Sequence, residues 1–180
     1  MRRLITWNML SLDGFFAAPG GHLDWFVFED ELDRYIKESQ LATDTLLFGR
    51  ATYEGMAAYW TTAEGDIADF MNGVTKYVFS RTLDRADWNK TTLVKGDAAE
   101  TVRRLKEESG KDIFVFGSAD FTATLMRDKL IDEYRIGLNP VILGKGIPLF
   151  KVGIERVRLR LTMTTPLKSG VVILHYEPTT

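Results

Sequence analysis

Apolar and polar positions along the 180-residue chain fall into short blocks separated by glycine-rich or polar breaks. Residues 3–12 predict a first strand, which enters Asp13-Gly14-Phe15-Phe16-Ala17-Ala18-Pro19-Gly20-Gly21, a turn-rich aromatic loop that is either a plain turn or the cover of a pocket. From Trp25 to Leu41 the period becomes helical, with Phe28, Leu32, Tyr35, Ile36 and Leu41 on one stripe. Asp24, Glu29, Asp30, Glu31 and Asp33 crowd its first turns, where carboxylates suit the positive end of a helix dipole. Asp44–Phe48 is a second apolar strand ending on Gly49 and opening a short helix, and residues 57–73 hold a further helix before a strand at Thr75–Phe79. Leu93-Val94 is a short strand, and residues 97–109 alternate Ala98, Val102 and Leu105 with charges as an amphipathic helix does. Residues 111–116 form a buried strand delivered to a helix that runs to Lys129, and Ile131–Asn139 is another strand. Strict alternation over Arg156–Met163, a turn at Pro166–Gly170 and the apolar run Val171–Tyr176 predict an antiparallel hairpin.

These blocks predict an α/β fold in one domain over residues 1–180: a mostly parallel sheet, helices on both sides and a C-terminal hairpin. Ligands of such sheets bind at the carboxyl edge of the strands. Hydrophobic residues at 45 % and charged residues at 27 % are ordinary globular values. A net charge of −2 gives no broad attraction to nucleic acid or an anionic membrane, so anion binding must come from a local constellation. Arg156, Arg158 and Arg160 share one strand face and read as solvated surface. With no cysteine there is no disulfide, thiolate nucleophile or cysteine zinc site. His22 and His175 stand too far apart in sequence to suggest a metal, and both read as structural. No apolar run has the length of a membrane span or a signal peptide, so a cytoplasmic location is expected.

Three strand ends carry phosphate-compatible groups. Gly117-Ser118-Ala119 is either a strand-to-helix turn with Ser118 as N-cap or an anion site, because glycine admits close approach and the first amides of a helix lack internal partners. Gly49-Arg50-Ala51-Thr52 repeats that junction with a guanidinium and a hydroxyl, and Ser80-Arg81 follows the strand at 75–79. Gly144-Lys145-Gly146 lacks the third glycine of a dinucleotide fingerprint and reads as a turn near the pocket.

Taken in order, Ser11-Leu12-Asp13-Gly14, Leu47-Phe48-Gly49-Arg50-Ala51-Thr52-Tyr53, Phe79-Ser80-Arg81, Val115-Phe116-Gly117-Ser118, and Leu130–Ile136 with Pro140–Phe150 resemble the dihydrofolate reductase-like superfamily. They are most similar to the reductase domain of the bifunctional riboflavin-biosynthesis deaminase-reductases. The resemblance implies a three-layer α/β/α fold and a homodimeric NADPH-dependent reductase of a small molecule, related to 5-amino-6-(5-phosphoribosylamino)uracil reductase. It implies that Gly49, Arg50, Thr52, Ser80 and Arg81 hold the adenosine end with its 2'-phosphate, and that Gly117, Ser118 and Ala119 hold the diphosphate.

Departures shape the expected substrate. No zinc-binding deaminase module is expected, and Trp7 and Phe15 replace basic residues common in the riboflavin reductases, which points away from a phosphorylated ribityl group. The segment 51–79 has no arginine for a folate glutamate tail and only Lys76 as a cation. Trp7, Phe15, Trp25 and Gly144 are the candidate substrate contacts, the aromatics being core residues or a stacking wall for a flat apolar guest of pyrimidine or pteridine type. Asp13, and after it Asp24, are the candidate proton donors, a role that needs a carboxyl pKa raised by apolar surroundings. The rival expectation is a non-catalytic dimeric protein that binds NADPH or another nucleotide.

Overall fold

The structure, a computed structural model, describes residues 1–179. In chain order its elements are β1 (Leu4–Ser11), β2 (Phe15–Ala17), α1 (Asp30–Gln40), β3 (Thr43–Gly49), α2 (Arg50–Trp60), α3 (Asp66–Gly73), β4 (Thr75–Phe79), β5 (Thr91–Val94), α4 (Ala98–Glu107), β6 (Asp112–Val115), α5 (Ala119–Arg127), β7 (Glu133–Asn139), β8 (Ile147–Pro148), β9 (Leu159–Pro166) and β10 (Val172–Pro178). Eight strands make one sheet in the order β5-β4-β3-β6-β1-β7-β10-β9. β5 through β7 run parallel, whereas β10 and β9 are each antiparallel to their neighbour.

Both faces of the parallel strands are covered, which is why β1, β3 and β6 read as nearly continuous apolar runs. On one face α4 and α5 place Val102, Leu105, Phe121 and Leu125 against Leu4, Ile113 and Tyr134. On the other, α1, α2 and α3 place Leu32, Tyr53 and Met71 against Ile5, Trp7 and Phe48. The result is the three-layer α/β/α architecture with a C-terminal antiparallel hairpin.

Four local features differ from the sequence expectation. α1 begins at Asp30 rather than Trp25, because the amide of Val27 donates to Asn139 Oδ1 at 3.1 Å and Glu29 is extended, at φ −149° and ψ 170°. The acids are not all solvated: Glu29 and Glu31 accept from the amides of Ser169 and Lys168 at 3.1 and 2.8 Å and fix the β9–β10 turn. β9 starts at Leu159, later than the alternation suggests. β2 and β8 pair in a small separate ribbon, Phe15 opposite Pro148 and Ala17 opposite Ile147.

Polar side chains are also buried in the sheet. Glu133, Arg135 and His175 lie under α1: His175 Nδ1 is 2.9 Å from Glu133 Oε1, Arg135 Nη2 is 2.8 Å from the same oxygen, and Tyr35 Oη is 2.7 Å from His175 Nε2. Burial raises the Glu133 pKa, but the bonds from His175 and Arg135 outweigh it and hold the carboxyl at about 2. Lys76 is fully buried and donates to the carbonyls of Met71 and Val74 at 2.8 Å each, with its ammonium 4.7 Å from the Trp88 ring centre. Burial pushes its pKa down to about 8. It closes the end of α3 and is not available to a substrate carboxylate.

Candidate functional site

Parallel strands deliver their carboxyl ends to one edge, and there β3 and β6 bring two helix N-termini side by side. A cleft of about 550 Å³ opens between the first turns of α2 and α5, lined among others by Gly49, Arg50, Glu54, Phe79, Ser118 and Asp120. A smaller recess of about 300 Å³ at the opposite edge, beside Thr43, Asp44 and Val74, contains none of the expected residues. The cleft floor is aromatic, with the Phe79 and Phe121 rings stacked at 4.5 Å.

Close approach explains the glycines. A Cβ on Gly49 would collide with Ser118 Oγ, and one on Gly117 would lie 2.7 Å from Phe16 Cζ and 2.8 Å from Thr52 Oγ1. Gly117 also has φ 48°, the left-handed region that favours glycine, and the Gly117–Ser118 peptide is cis. Its amide donates to Asn8 Oδ1 at 3.0 Å. Ser118 precedes α5 without a side-chain capping bond, so its hydroxyl faces Gly49 rather than its own helix. Ala119 is buried in the first turn of α5. Thus Gly49, Arg50, Thr52, Gly117, Ser118 and Ala119 come together.

Arg50 reaches out from α2, donating from Nε to Glu54 Oε1 at 2.9 Å and from Nη1 to Thr82 Oγ1 at 2.7 Å. Ser80 Oγ accepts from the amides of Thr82 and Leu83, so its hydroxyl shapes the loop that meets Arg50. Arg81 is exposed and stands outside the cleft lining. Two carboxylates share the cleft: Glu54 with Arg50, and Asp120, which forms an ion pair with Lys151. Glu54, Thr82, Asp120 and Lys151 escape sequence reading because each looks like ordinary charged or polar surface.

The residues suit a diphosphate-bearing nucleotide on structural grounds. Gly49 and Gly117 clear a cradle at two helix N-termini, and Asn8 Oδ1 on β1 fixes the Gly117 turn by taking its amide. An asparagine inside an apolar strand is the signal that sequence reading could have used.

The other half of the edge is roofed by the β2–β8 ribbon. Asp13 accepts from Ser11 Oγ at 2.7 Å and from the amides of Leu143 and Gly144 at 3.1 and 2.7 Å. Desolvation pushes its pKa up, but these bonds outweigh it and hold the carboxyl below the ordinary range. The apolar setting expected for a proton donor is missing, and Asp13 is an ionised acceptor that pins the loop after β7. Gly144 is one end of that pin. Asp24 lies in an exposed turn. Trp7 is only 6 % exposed and packs 5.7 Å from Tyr35 under α1, which makes it core rather than a substrate contact. Phe15 and Trp25 are half-buried at the edge, Trp25 with Nε1 on the His22 carbonyl at 3.2 Å and its ring 4.5 Å from Phe26. Fully buried Asn139 ties this roof to the sheet, accepting from Val27 and donating to the carbonyls of Leu10 and Gly137.

The profile of the RibD C-terminal domain matches residues 2–173. The chain belongs to the RibD C-terminal domain family. Relatives of this RibD-type chain include the uncharacterized protein YyaP of Bacillus subtilis (strain 168), 32 % identical over 181 residues, covering 98 % of this chain and 95 % of YyaP. A Shewanella sp. PV-4 protein, described provisionally as a riboflavin biosynthesis protein, superposes with a TM-score of 0.82 at 21 % identity over 99 % of both chains. Enterococcus faecalis dihydrofolate reductase, solved with NADP(H) and the inhibitor RAB-propyl, superposes with a TM-score of 0.68 at 15 % identity over 99 % of this chain and 97 % of its own. The fold is therefore that of the dihydrofolate reductase-like reductases. Among the described residues no helix is long and apolar enough to cross a membrane, and no group of three or more His, Asp or Glu is gathered as a metal site.

Proposed function

We propose that this RibD-family chain is an NADPH-dependent oxidoreductase that acts as a homodimer in the cytoplasm on a small, flat heterocycle of pyrimidine or pteridine type. The observation that carries the reading is the cleft between the N-termini of α2 and α5, with Arg50 at its mouth and no room for a Cβ at Gly49 or Gly117. In this reading Ser118 and Ala119 hold the diphosphate through the first amides of α5, Gly117, whose own amide is taken by Asn8, clears the space beside them, and Thr52 closes the turn from the α2 side. Arg50, with the Ser80–Thr82 loop beside it, holds the 2'-phosphate; Arg81, outside the lining, contributes less than the sequence suggests.

NADPH, when bound, supplies the hydride. The protein places the substrate and excludes water: the β2–β8 ribbon forms a roof, Phe16 borders the Gly117 turn, and Phe15 and Trp25 provide apolar wall. Asp13 keeps Leu143 and Gly144 in position as an acceptor. Lys76, sealed beneath α3, and Arg135, beneath α1, are not available to a phosphorylated ribityl group or a glutamate tail. Nicotinamide absorbance in the presence of pteridines, quinones and pyrimidines tests the reading: oxidation with at least one class is the expected result. NADPH binding with no oxidation across all three favours the rival reading of a non-catalytic nucleotide-binding protein, which the occupied carboxylate of Asp13 would also suit.

A further inference from the structure

We infer that Glu54 sets the coenzyme preference of the cleft, acting as an internal anion that competes with a 2'-phosphate for Arg50. The inference rests on reading the cleft as an adenine dinucleotide site. It adds an opposing residue that favours the unphosphorylated coenzyme.

Glu54 lies one helical turn beyond Arg50 on α2, and both line the cleft. Its Oε1 takes the Nε proton of Arg50 at 2.9 Å, while Thr82 Oγ1 takes a proton from Nη1 at 2.7 Å. The Nε edge is one of the two edges through which a guanidinium grips an oxyanion bidentately, so the carboxylate occupies a position a phosphate would need. Both side chains are about half exposed, at 48 and 47 %. An exposed i,i+4 pair of this kind is weak and opens readily. The carboxylate that swings away remains tethered to the same turn, and its charge continues to repel a phosphate dianion at Arg50. At about 4 Å with the water-like, salt-weakened screening of two exposed groups, that repulsion corresponds to roughly tenfold in affinity. A coenzyme whose ribose carries a free 2'-hydroxyl does not meet it, and its hydroxyl can donate to Glu54.

Asp120 supplies a built-in comparison. It has the same charge and lines the same cleft, but it sits on α5 at the diphosphate end and is paired with Lys151. Removing its charge changes binding of both coenzymes alike, whereas removing the charge of Glu54 changes their ratio.

Adenosine 2',5'-bisphosphate and AMP differ only in the 2'-phosphate, and calorimetric titration of both into wild type, Glu54→Gln and Asp120→Asn tests the inference. Glu54→Gln, an isosteric change on an exposed helix position, is expected to raise the bisphosphate-to-AMP affinity ratio about tenfold; Asp120→Asn is expected to leave that ratio within about twofold of wild type. A ratio unchanged in Glu54→Gln, or raised equally in Asp120→Asn, overturns the role of Glu54 while leaving the coenzyme reading intact. If wild type binds neither nucleotide, the coenzyme reading falls and this inference falls with it.

Discussion

Asp13 accepts three hydrogen bonds at the rim of the sheet, and its depressed pKa follows from them. Asp13→Asn keeps one acceptor oxygen where two are used, so faster amide hydrogen exchange at Leu143 and Gly144 is expected; unchanged exchange would remove the pinning role. Glu133 tests a different kind of carboxylate. Its folded pKa of about 2 lies below the ordinary value of about 4.3, so the unfolded chain binds more protons between those values and stability rises with pH there. The Glu133 contribution is complete above that window and is lost as pH falls through it toward 2. Glu133→Gln leaves Arg135 buried beside a weaker acceptor and is expected to cost about 3 kcal/mol near neutral pH, with a flatter decline of stability from pH 4.5 to 2 in denaturant titrations. A wild-type acid profile in the variant would contradict this. Sequence reading separates neither residue from its surroundings: Asp-Gly after a strand suits a donor, a clamp or a turn, and which one follows from amides more than a hundred residues away.

At the scale of elements, the strand–helix junctions were legible and the edges were not. Leu46-Leu47-Phe48-Gly49 and Ile113-Phe114-Val115-Phe116-Gly117 announce buried parallel strands that end where backbone must come close, and the structure joins them at one cleft. The start of α1 was hidden because Trp25-Phe26-Val27-Phe28 continues an apolar spacing compatible with a helix, and the bond from Val27 to Asn139 that keeps it extended is tertiary. The β2–β8 ribbon is too short to show a period. Trp7 exposes the limit of aromatic counting, since core and stacking wall use the same residue types. Gly117→Ala tests the junction itself: a Cβ at φ 48° pressed on Phe16 and Thr52 is expected to lower stability by about 1–3 kcal/mol and to abolish NADPH binding. Native stability and binding in that variant would remove the close-approach argument.

For the whole molecule, the parallel sheet order places every phosphate-compatible strand end on one edge, so the fold and the family were readable from ordered motifs although each motif is modest alone. The opposite end of the sheet is the surface on which we propose that a second copy pairs. β9 is an edge strand exposed along Leu159–Thr164, with Leu161 and Met163 49 and 54 % exposed, and an uncovered apolar edge is a place for another chain to pair. Leu161→Lys with Met163→Lys is expected to shift the light-scattering mass from two chains to one; a wild-type protein that is already a monomer contradicts the dimer. The central claim is the coenzyme cleft, and calorimetric titration of NADPH and NADH into wild type and Arg50→Ala tests it most directly. Saturable NADPH binding by wild type is predicted, weakened about tenfold in Arg50→Ala while NADH changes by less than about twofold. Equal weakening of the two coenzymes, or no saturable binding by wild type, would contradict the account.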